Sequence, residues 1–207
     1  MKRISIEEFK EQSNVEIIES IMKINNGYVT SKLLDDLGIH RMYLNSLWKK
    51  GIVKKVASGI YMDANKEEDK YYVFNLSMPN SIYSHMTALY FHGLSNKVPN
   101  EKYDITVRKG YNSAHLKKHE SFHVMDDIYE LGLTEVQTPM GNTVRVYDTE
   151  RCICDIIRSK KRMASEHIKH SIREYLKRKD KDLVKLSNYA KKMGINDEVM
   201  NYIEIMM

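Results

Sequence analysis

Apolar positions in the first third of the chain follow a helical period and then alternate with polar ones. They recur every three or four residues from Asn14 to Ile24, from Leu33 to Leu37 and from His40 to Lys50, which predicts three helices. From Ile52 to Val56 apolar and basic residues alternate, Ala57-Ser58-Gly59 turns the chain and Ile60 to Met62 returns, which predicts a two-stranded hairpin. Three helices followed by a hairpin indicate a winged helix-turn-helix.

The rest of the chain predicts strands first and helices afterwards. Alternating segments predict four strands: Tyr103 to Arg108, Ser121 to Met125, Val136 to Thr138 and Thr143 to Tyr147. Helical segments follow: one capped by Thr149, then Ser165 to Arg178, Leu183 to Lys192 and Glu198 to Met206. We therefore expect an α+β protein with a winged helix-turn-helix domain at 1–78. The domain at 79–207 should hold a small, mostly antiparallel sheet and several helices.

Composition indicates a globular intracellular protein. The 33 basic and 28 acidic residues give a formal net charge of +5, which permits an anionic partner. Cys152 and Cys154 lie two apart in a predicted helix, where their side chains diverge, so we expect no disulfide between them. No apolar run approaches the roughly 20 residues of a membrane span, and the N-terminus lacks a signal-peptide pattern, so we expect a cytoplasmic location. Ser5 and Glu8 have the spacing of a capping box, which predicts a short polar helix.

The second helix of the helix-turn-helix is the predicted recognition helix. Its buried side should centre on Leu44, Leu47 and Trp48. Every charged residue from Arg41 to Met62 is basic, which suits a phosphate backbone. The predicted DNA-binding residues are Arg41, Tyr43, Asn45, Ser46, Lys49, Lys50, Lys54 and Lys55. We assign base edges to Arg41, Asn45 and Ser46, and phosphates to Lys49, Lys54 and Lys55. A winged helix used for protein contacts and a merely solvated basic face remain alternatives.

The C-terminal helices are also rich in basic residues. A possible anion-facing surface comprises Arg158, Lys160, Lys161, Arg173, Lys177 and Arg178, although solvated helix faces explain the same residues. His115, His119 and His123 recur every four residues, but no cysteine or acidic partner completes a metal site. Ser84 beside His85 is better explained by helix capping of a helix from His85 to His92 than by catalysis. We predict no catalytic residue, metal or cofactor.

Several segments together resemble a known family. They are Gly59-Ile60-Tyr61, the run Ser84 to Leu89, His92-Gly93-Leu94, and Thr149-Glu150-Arg151 followed by Asp155. In order and spacing these resemble the AbiEi antitoxins of AbiE abortive-infection systems, over nearly the whole chain. Where relatives often have a proline after the threonine, this chain has Glu150.

The resemblance implies a phage-defence toxin–antitoxin operon. It implies that the winged helix binds inverted repeats in the operon's own promoter, while the C-terminal domain opposes a nucleotidyltransferase-like toxin without a stable complex (type IV). Under this resemblance the C-terminal segments are packing motifs, although Arg151 could instead serve an anion. A C-terminal enzyme acting on the toxin, its nucleotide substrate or its RNA target is the alternative, and a protein-interaction module is a third possibility.

Overall fold

The computed structural model describes residue 1 and residues 12–206. The helix predicted from Ser5 and Glu8 lies outside these residues. The chain forms two compact units, one of residues 1–78 with Thr138–Thr143 and one of residues 79–137 with 144–207. Within the described residues, no helix combines the length and apolar character needed to cross a membrane.

The first unit contains three helices, a three-stranded sheet and a fourth helix. Its elements are α1 (Asn14–Ile24), β1 (Tyr28–Thr30), α2 (Ser31–Asp36), α3 (Met42–Lys49), β2 (Val53–Ala57), β3 (Ile60–Asp63) and α4 (Lys70–Ser77). The sheet is antiparallel with the order β1-β3-β2. The predicted helices and hairpin are present, and β1 adds a third strand that the sequence analysis did not predict.

Local capping and a shared core explain why α1, α2 and α3 form and pack. Ser13 and Glu16 form a reciprocal capping box at the start of α1, and the Thr30 hydroxyl accepts a hydrogen bond from the Leu33 amide at the start of α2. One buried core joins these helices to the sheet. It comprises Ile17, Ile18, Ile21, Met22, Val29, Leu34, Ile39, Leu44, Leu47, Val53 and Tyr61.

The second unit combines a five-stranded sheet with helices. Its elements are β4 (Ile82–Tyr83), α5 (His85–Phe91), β5 (Asp104–Arg108), β6 (Glu120–Val124), α6 (Asp126–Tyr129), β7 (Leu133–Gln137), β8 (Thr143–Tyr147), α7 (Thr149–Arg158), α8 (Ser165–Lys177), α9 (Leu183–Lys192) and α10 (Asn196–Met206). Helix α7 is buried along most of its length and packs against α5, α8 and α9. The α+β class predicted from the sequence is confirmed.

The sheet of the second unit is mixed, whereas the sequence predicted mostly antiparallel pairing. Its order is β6-β5-β4-β8-β7. β4 pairs antiparallel with β5 but parallel with β8, and β5 pairs parallel with β6. The central β4 is only two residues long, which is too short to show an alternating pattern, so the sequence analysis placed no strand there.

Helix α7 is capped by a different residue from the one predicted. The side chain of Asp148 accepts a hydrogen bond from the Arg151 amide at 2.9 Å, so Asp148 occupies the N-cap position and Thr149 is the first helical residue. Aspartate satisfies the unpaired amides of a first turn as well as a hydroxyl does, and the sequence places the two residues side by side.

Candidate nucleic-acid interface

Helix α3 is held in the first unit by one face and leaves the opposite face in solvent. Leu44 and Leu47 are buried in the core. Met42, Asn45, Ser46 and Lys49 are exposed. Because these four side chains follow one another at three- and four-residue intervals, they share one side of the helix. We call them the reading face.

The reading face carries positive charge at its C-terminal end. Together with Lys50 it lines a shallow depression on the surface of α3. Lys49 and Lys50 supply two positive charges there, while Asn45 and Ser46 supply an amide and a hydroxyl. This combination of hydrogen-bonding groups and cations is suited to base edges and phosphates.

Arg41 lies beside the reading face but is held by an acidic residue of α2. Its Nε and Nη2 donate to the two carboxylate oxygens of Asp35 at 3.0 and 2.5 Å. Hydrogen bonding from Arg41 lowers the pKa of Asp35. Both side chains are largely exposed, so solvent weakens this ion pair. Arg41 can contact DNA only after releasing Asp35 or by sharing its guanidinium.

The burial of two aromatic residues of α3 differs from the burial that helical periodicity predicted. Trp48, predicted to be buried, has 49% of its surface exposed. Tyr43, predicted at the DNA, is half-buried and packs against the core. Helix α3 has only eight residues, and Leu44 and Leu47 already fill its contact with the core, so the bulky indole lies at the edge.

The two lysines of the wing lie on opposite faces of the hairpin. Lys55 is exposed and lies directly opposite Tyr61, which packs in the core with the three helices. Lys54 lies opposite Met62, and its Nζ donates to the carbonyl oxygens of Lys66 at 2.6 Å and Ala64 at 3.4 Å. Directly opposite strand residues share a face, so Lys55 lies on the side of α3 and Lys54 on the other side.

The basic residues predicted on the C-terminal helices divide into two groups. Lys160 pairs with Glu198, Lys177 with Glu174 at 2.7 Å, and Arg178 with Asp180 at 2.6 Å. In the part of the chain that the structure describes, Arg158, Lys161 and Arg173 are exposed and form no ion pair. The free positive charge of this surface is therefore about half of what the sequence suggested.

Arg151 is fully buried and cannot meet an anion from solvent. Its Nε donates to Asp155 at 3.0 Å, and its Nη1 donates to the carbonyl oxygens of Ile128 and Leu131. The guanidinium also lies 4.2 Å from the centre of the Tyr147 ring. The alternative that Arg151 serves an anion is thus disfavoured, because the side chain is buried and its Nε and Nη1 donate inside the unit.

The Ser84–His85 pair is buried as well. The Ser84 hydroxyl lies 2.8 Å from Nδ1 of His85 instead of capping α5, and the Ser159 hydroxyl lies 3.0 Å from Nε2. The His85 ring stacks on Phe122 with ring centres 3.5 Å apart. Burial holds the pKa of His85 well below its usual value, so the imidazole is neutral.

A cavity of about 420 Å³ in the second unit was not predicted from the sequence. Residues of α5, β5, β6 and α8 and of the adjoining loops line it. At its wall, Glu120 is paired with Lys102 at 2.5 Å and Arg162 at 2.8 Å. Asp104 accepts a hydrogen bond from the Met86 amide at 3.0 Å, and burial raises the pKa of Asp104 to about 6. Its lining residues are far apart in sequence, so no local motif marks the cavity.

The histidines considered as metal ligands are separated in the structure. His115 and His123 are exposed, while His119 stacks on Tyr103 and accepts a hydrogen bond from the Tyr103 amide. Across residues 12–206, no cluster of three or more histidine, cysteine or acidic side chains has the arrangement of a metal site.

Part of the first unit is similar to a known protein family. Residues 17–62, from α1 to the end of the wing, match the family described as "Transcriptional regulator, AbiEi antitoxin". Over this span the chain is similar to the AbiEi antitoxin family. The matched residues include α3, the reading face and both wing lysines.

Other comparisons are more distant. The crystal structure of the RV2827C protein from Mycobacterium tuberculosis is similar to this chain with 10% sequence identity and a TM-score of 0.46. That similarity covers 93% of this chain and 81% of the other chain. No curated protein matches the sequence. The family similarity therefore rests on residues 17–62, and the family's description supports a role as an antitoxin and transcriptional regulator.

Proposed function

We propose that the protein represses its own toxin–antitoxin operon by binding inverted repeats in the promoter through the first unit. The observation that carries this proposal is the reading face, which lies outward on the helix that the AbiEi family match includes. Recognition helices of helix-turn-helix proteins present such faces to the major groove. Lys49, Lys50 and Lys55 add positive charge on the same side for phosphates.

The wing provides a matched pair of substitutions to test this proposal. Lys55→Ala removes a charge on the side of α3, whereas Lys54→Ala removes a charge whose ammonium is bound to carbonyl oxygens on the other side. Binding of the full chain to its promoter fragment is measured by fluorescence anisotropy at several salt concentrations. We expect Lys55→Ala to weaken binding to all sequences and to reduce the salt slope by about 1, because one phosphate contact is lost.

Lys54→Ala is expected to leave the slope unchanged. A slope reduced by Lys54→Ala but not by Lys55→Ala would place the other face of the wing on DNA. Wild-type protein that binds promoter and unrelated DNA equally would refute sequence-specific repression. Nuclease footprints should show paired half-sites whose centres lie roughly 10 base pairs, or a multiple, apart.

We propose further that the second unit carries the antitoxin activity against a nucleotidyltransferase-like toxin. Support comes from the family description and from the second unit's separate core around α7. A chain lacking residues 1–78 tests the division of labour. Rescue of growth from the toxin without promoter repression supports it, and loss of rescue by a folded truncated chain contradicts it.

The cavity supports a second candidate function, in which the second unit acts on a small molecule or on the toxin as an enzyme. Its volume is in the range of ligand pockets, and Asp104 is a buried carboxyl group with a raised pKa at its wall. Incubation of the full chain with toxin and labelled nucleotide tests this candidate. Turnover that Asp104→Asn abolishes would favour it, and absence of turnover by the wild-type chain would exclude that reaction.

A further inference from the structure

Among the described residues of the first unit, the most exposed large apolar side chain lies on the reading face. Met42 has 59% of its surface exposed, more than Trp48, Ile52 or Ile24. It is the first residue of α3, one turn before Asn45 and Ser46. Recognition helices contact base edges mainly through residues near their N-terminus, so Met42 occupies a position of direct readout.

The neighbouring residue Arg41 is less available for a contact with DNA, because its side chain is already paired. The Arg41 guanidinium is engaged by both carboxylate oxygens of Asp35. Met42 is therefore an outward side chain at the start of α3, and no ion pair restricts the conformation of this side chain. Its thioether is flexible, polarizable and at most a weak hydrogen-bond acceptor.

The chemistry of the major groove limits what such a side chain can recognise. Base edges present hydrogen-bond donors and acceptors there, and the C5-methyl group of thymine is their apolar feature. From this we propose that Met42 is a specificity-determining residue that contacts a thymine methyl group within each half-site. This inference rests on the proposed binding of operator DNA. It specifies which base the N-terminal end of α3 contacts.

The test replaces thymine by deoxyuridine, which removes the methyl group and keeps every hydrogen-bonding group. Operator duplexes each carry one replacement, and their affinities for the full wild-type chain are measured by anisotropy. We expect a loss of about fourfold at one thymine in each half-site, the size expected for one buried methyl group. Met42→Ala should weaken binding to the thymine operator and should show no further loss at that position.

Controls separate this inference from the proposed function. Met125→Ala removes a methionine of the second unit with similar exposure, 56%, and should keep the full deoxyuridine effect. A specific operator complex that is indifferent to deoxyuridine at every thymine, or a deoxyuridine effect that Met42→Ala retains, overturns the inference while repression stands. Absence of specific binding by the wild-type chain refutes the proposed function instead. Circular dichroism of each variant verifies folding.

Discussion

At the residue scale, the buried ion pair of Arg151 shows how burial decides between a structural and a functional role. Arg151 and Asp155 lie one helical turn apart on α7 and are both inaccessible to solvent. Burial opposes the charged form of Arg151, but attraction to Asp155 and Tyr147 and the hydrogen bond to Asp155 together raise the pKa of Arg151, so the guanidinium stays charged. A charge in this position is stabilised by fixed partners, and removing one partner leaves the other uncompensated.

Arg151→Ala is expected to destabilise the second unit by about 3–5 kcal/mol, because Asp155 and two carbonyl oxygens lose their donors. Urea unfolding monitored by circular dichroism measures the change in the free energy of unfolding. Arg158→Ala, on the exposed end of the same helix, should change stability by less than about 0.5 kcal/mol. Equal effects of the two substitutions would show that the buried pair is not a stabilising contact.

At the element scale, the winged helix was predictable and the C-terminal sheet was not. Helices α1 and α3 and the hairpin have strong local signals: a capping box, helical periods and a glycine turn. The pairing of β4 with β8 joins segments about 60 residues apart, and a two-residue strand carries no period. Local pattern thus specifies elements, whereas strand order depends on long-range packing.

For the candidate site, too, the sequence predicted the local features and not the long-range contacts. Periodicity on α3 placed Asn45, Ser46 and Lys49 outward, and they lie outward in the structure. It could not reveal that Asp35 holds Arg41 or that Lys54 turns toward Lys66, because both contacts depend on side-chain conformations across different elements. Their roles at DNA stay predictions.

The turn before β7 offers a prediction about an element boundary. Gly132 has a φ of +75°, and a Cβ atom there would lie 2.7 Å from Cβ of Arg151. Gly132→Ala therefore adds a steric clash to the backbone strain. Gly110, with a φ of +86° and open space around it, provides the matched control, Gly110→Ala.

The control carries backbone strain alone, about 1–2 kcal/mol. We expect Gly132→Ala to cost roughly a further 1–3 kcal/mol, the usual range for overpacking. Thermal and urea unfolding of both variants measure the difference. Similar losses in the two variants would mean that α7 shifts to accommodate the added methyl group.

At the scale of the whole molecule, the first unit is completed by a distant piece of chain. The segment Thr138–Thr143 belongs to this unit. The buried carboxylate of Asp69 accepts hydrogen bonds from Thr138 Oγ1 at 2.5 Å and Asn142 Nδ2 at 2.7 Å, and its other oxygen caps α4 through the Tyr72 amide. A buried carboxylate that lost two donors would be costly.

This arrangement predicts that Asp69→Asn acts differently in two contexts. In the full chain it disturbs a satisfied carboxylate and should destabilise the first unit by about 1–3 kcal/mol. In a fragment of residues 1–78 the two donors are missing, so the substitution should have little effect or raise stability. Urea midpoints monitored at Trp48 measure both effects, and equal losses in the two contexts would contradict the role given to Asp69.

The position of Thr138–Thr143 in the sequence also has a consequence during synthesis. A ribosome translates residues 12–78 first and reaches Thr138 about 60 codons later. Until then, Asp69 of the nascent winged helix lacks two of its hydrogen-bond donors. The first unit therefore reaches its full set of contacts only after translation has passed well into the second unit, and a product terminated before residue 138 carries an incomplete first unit.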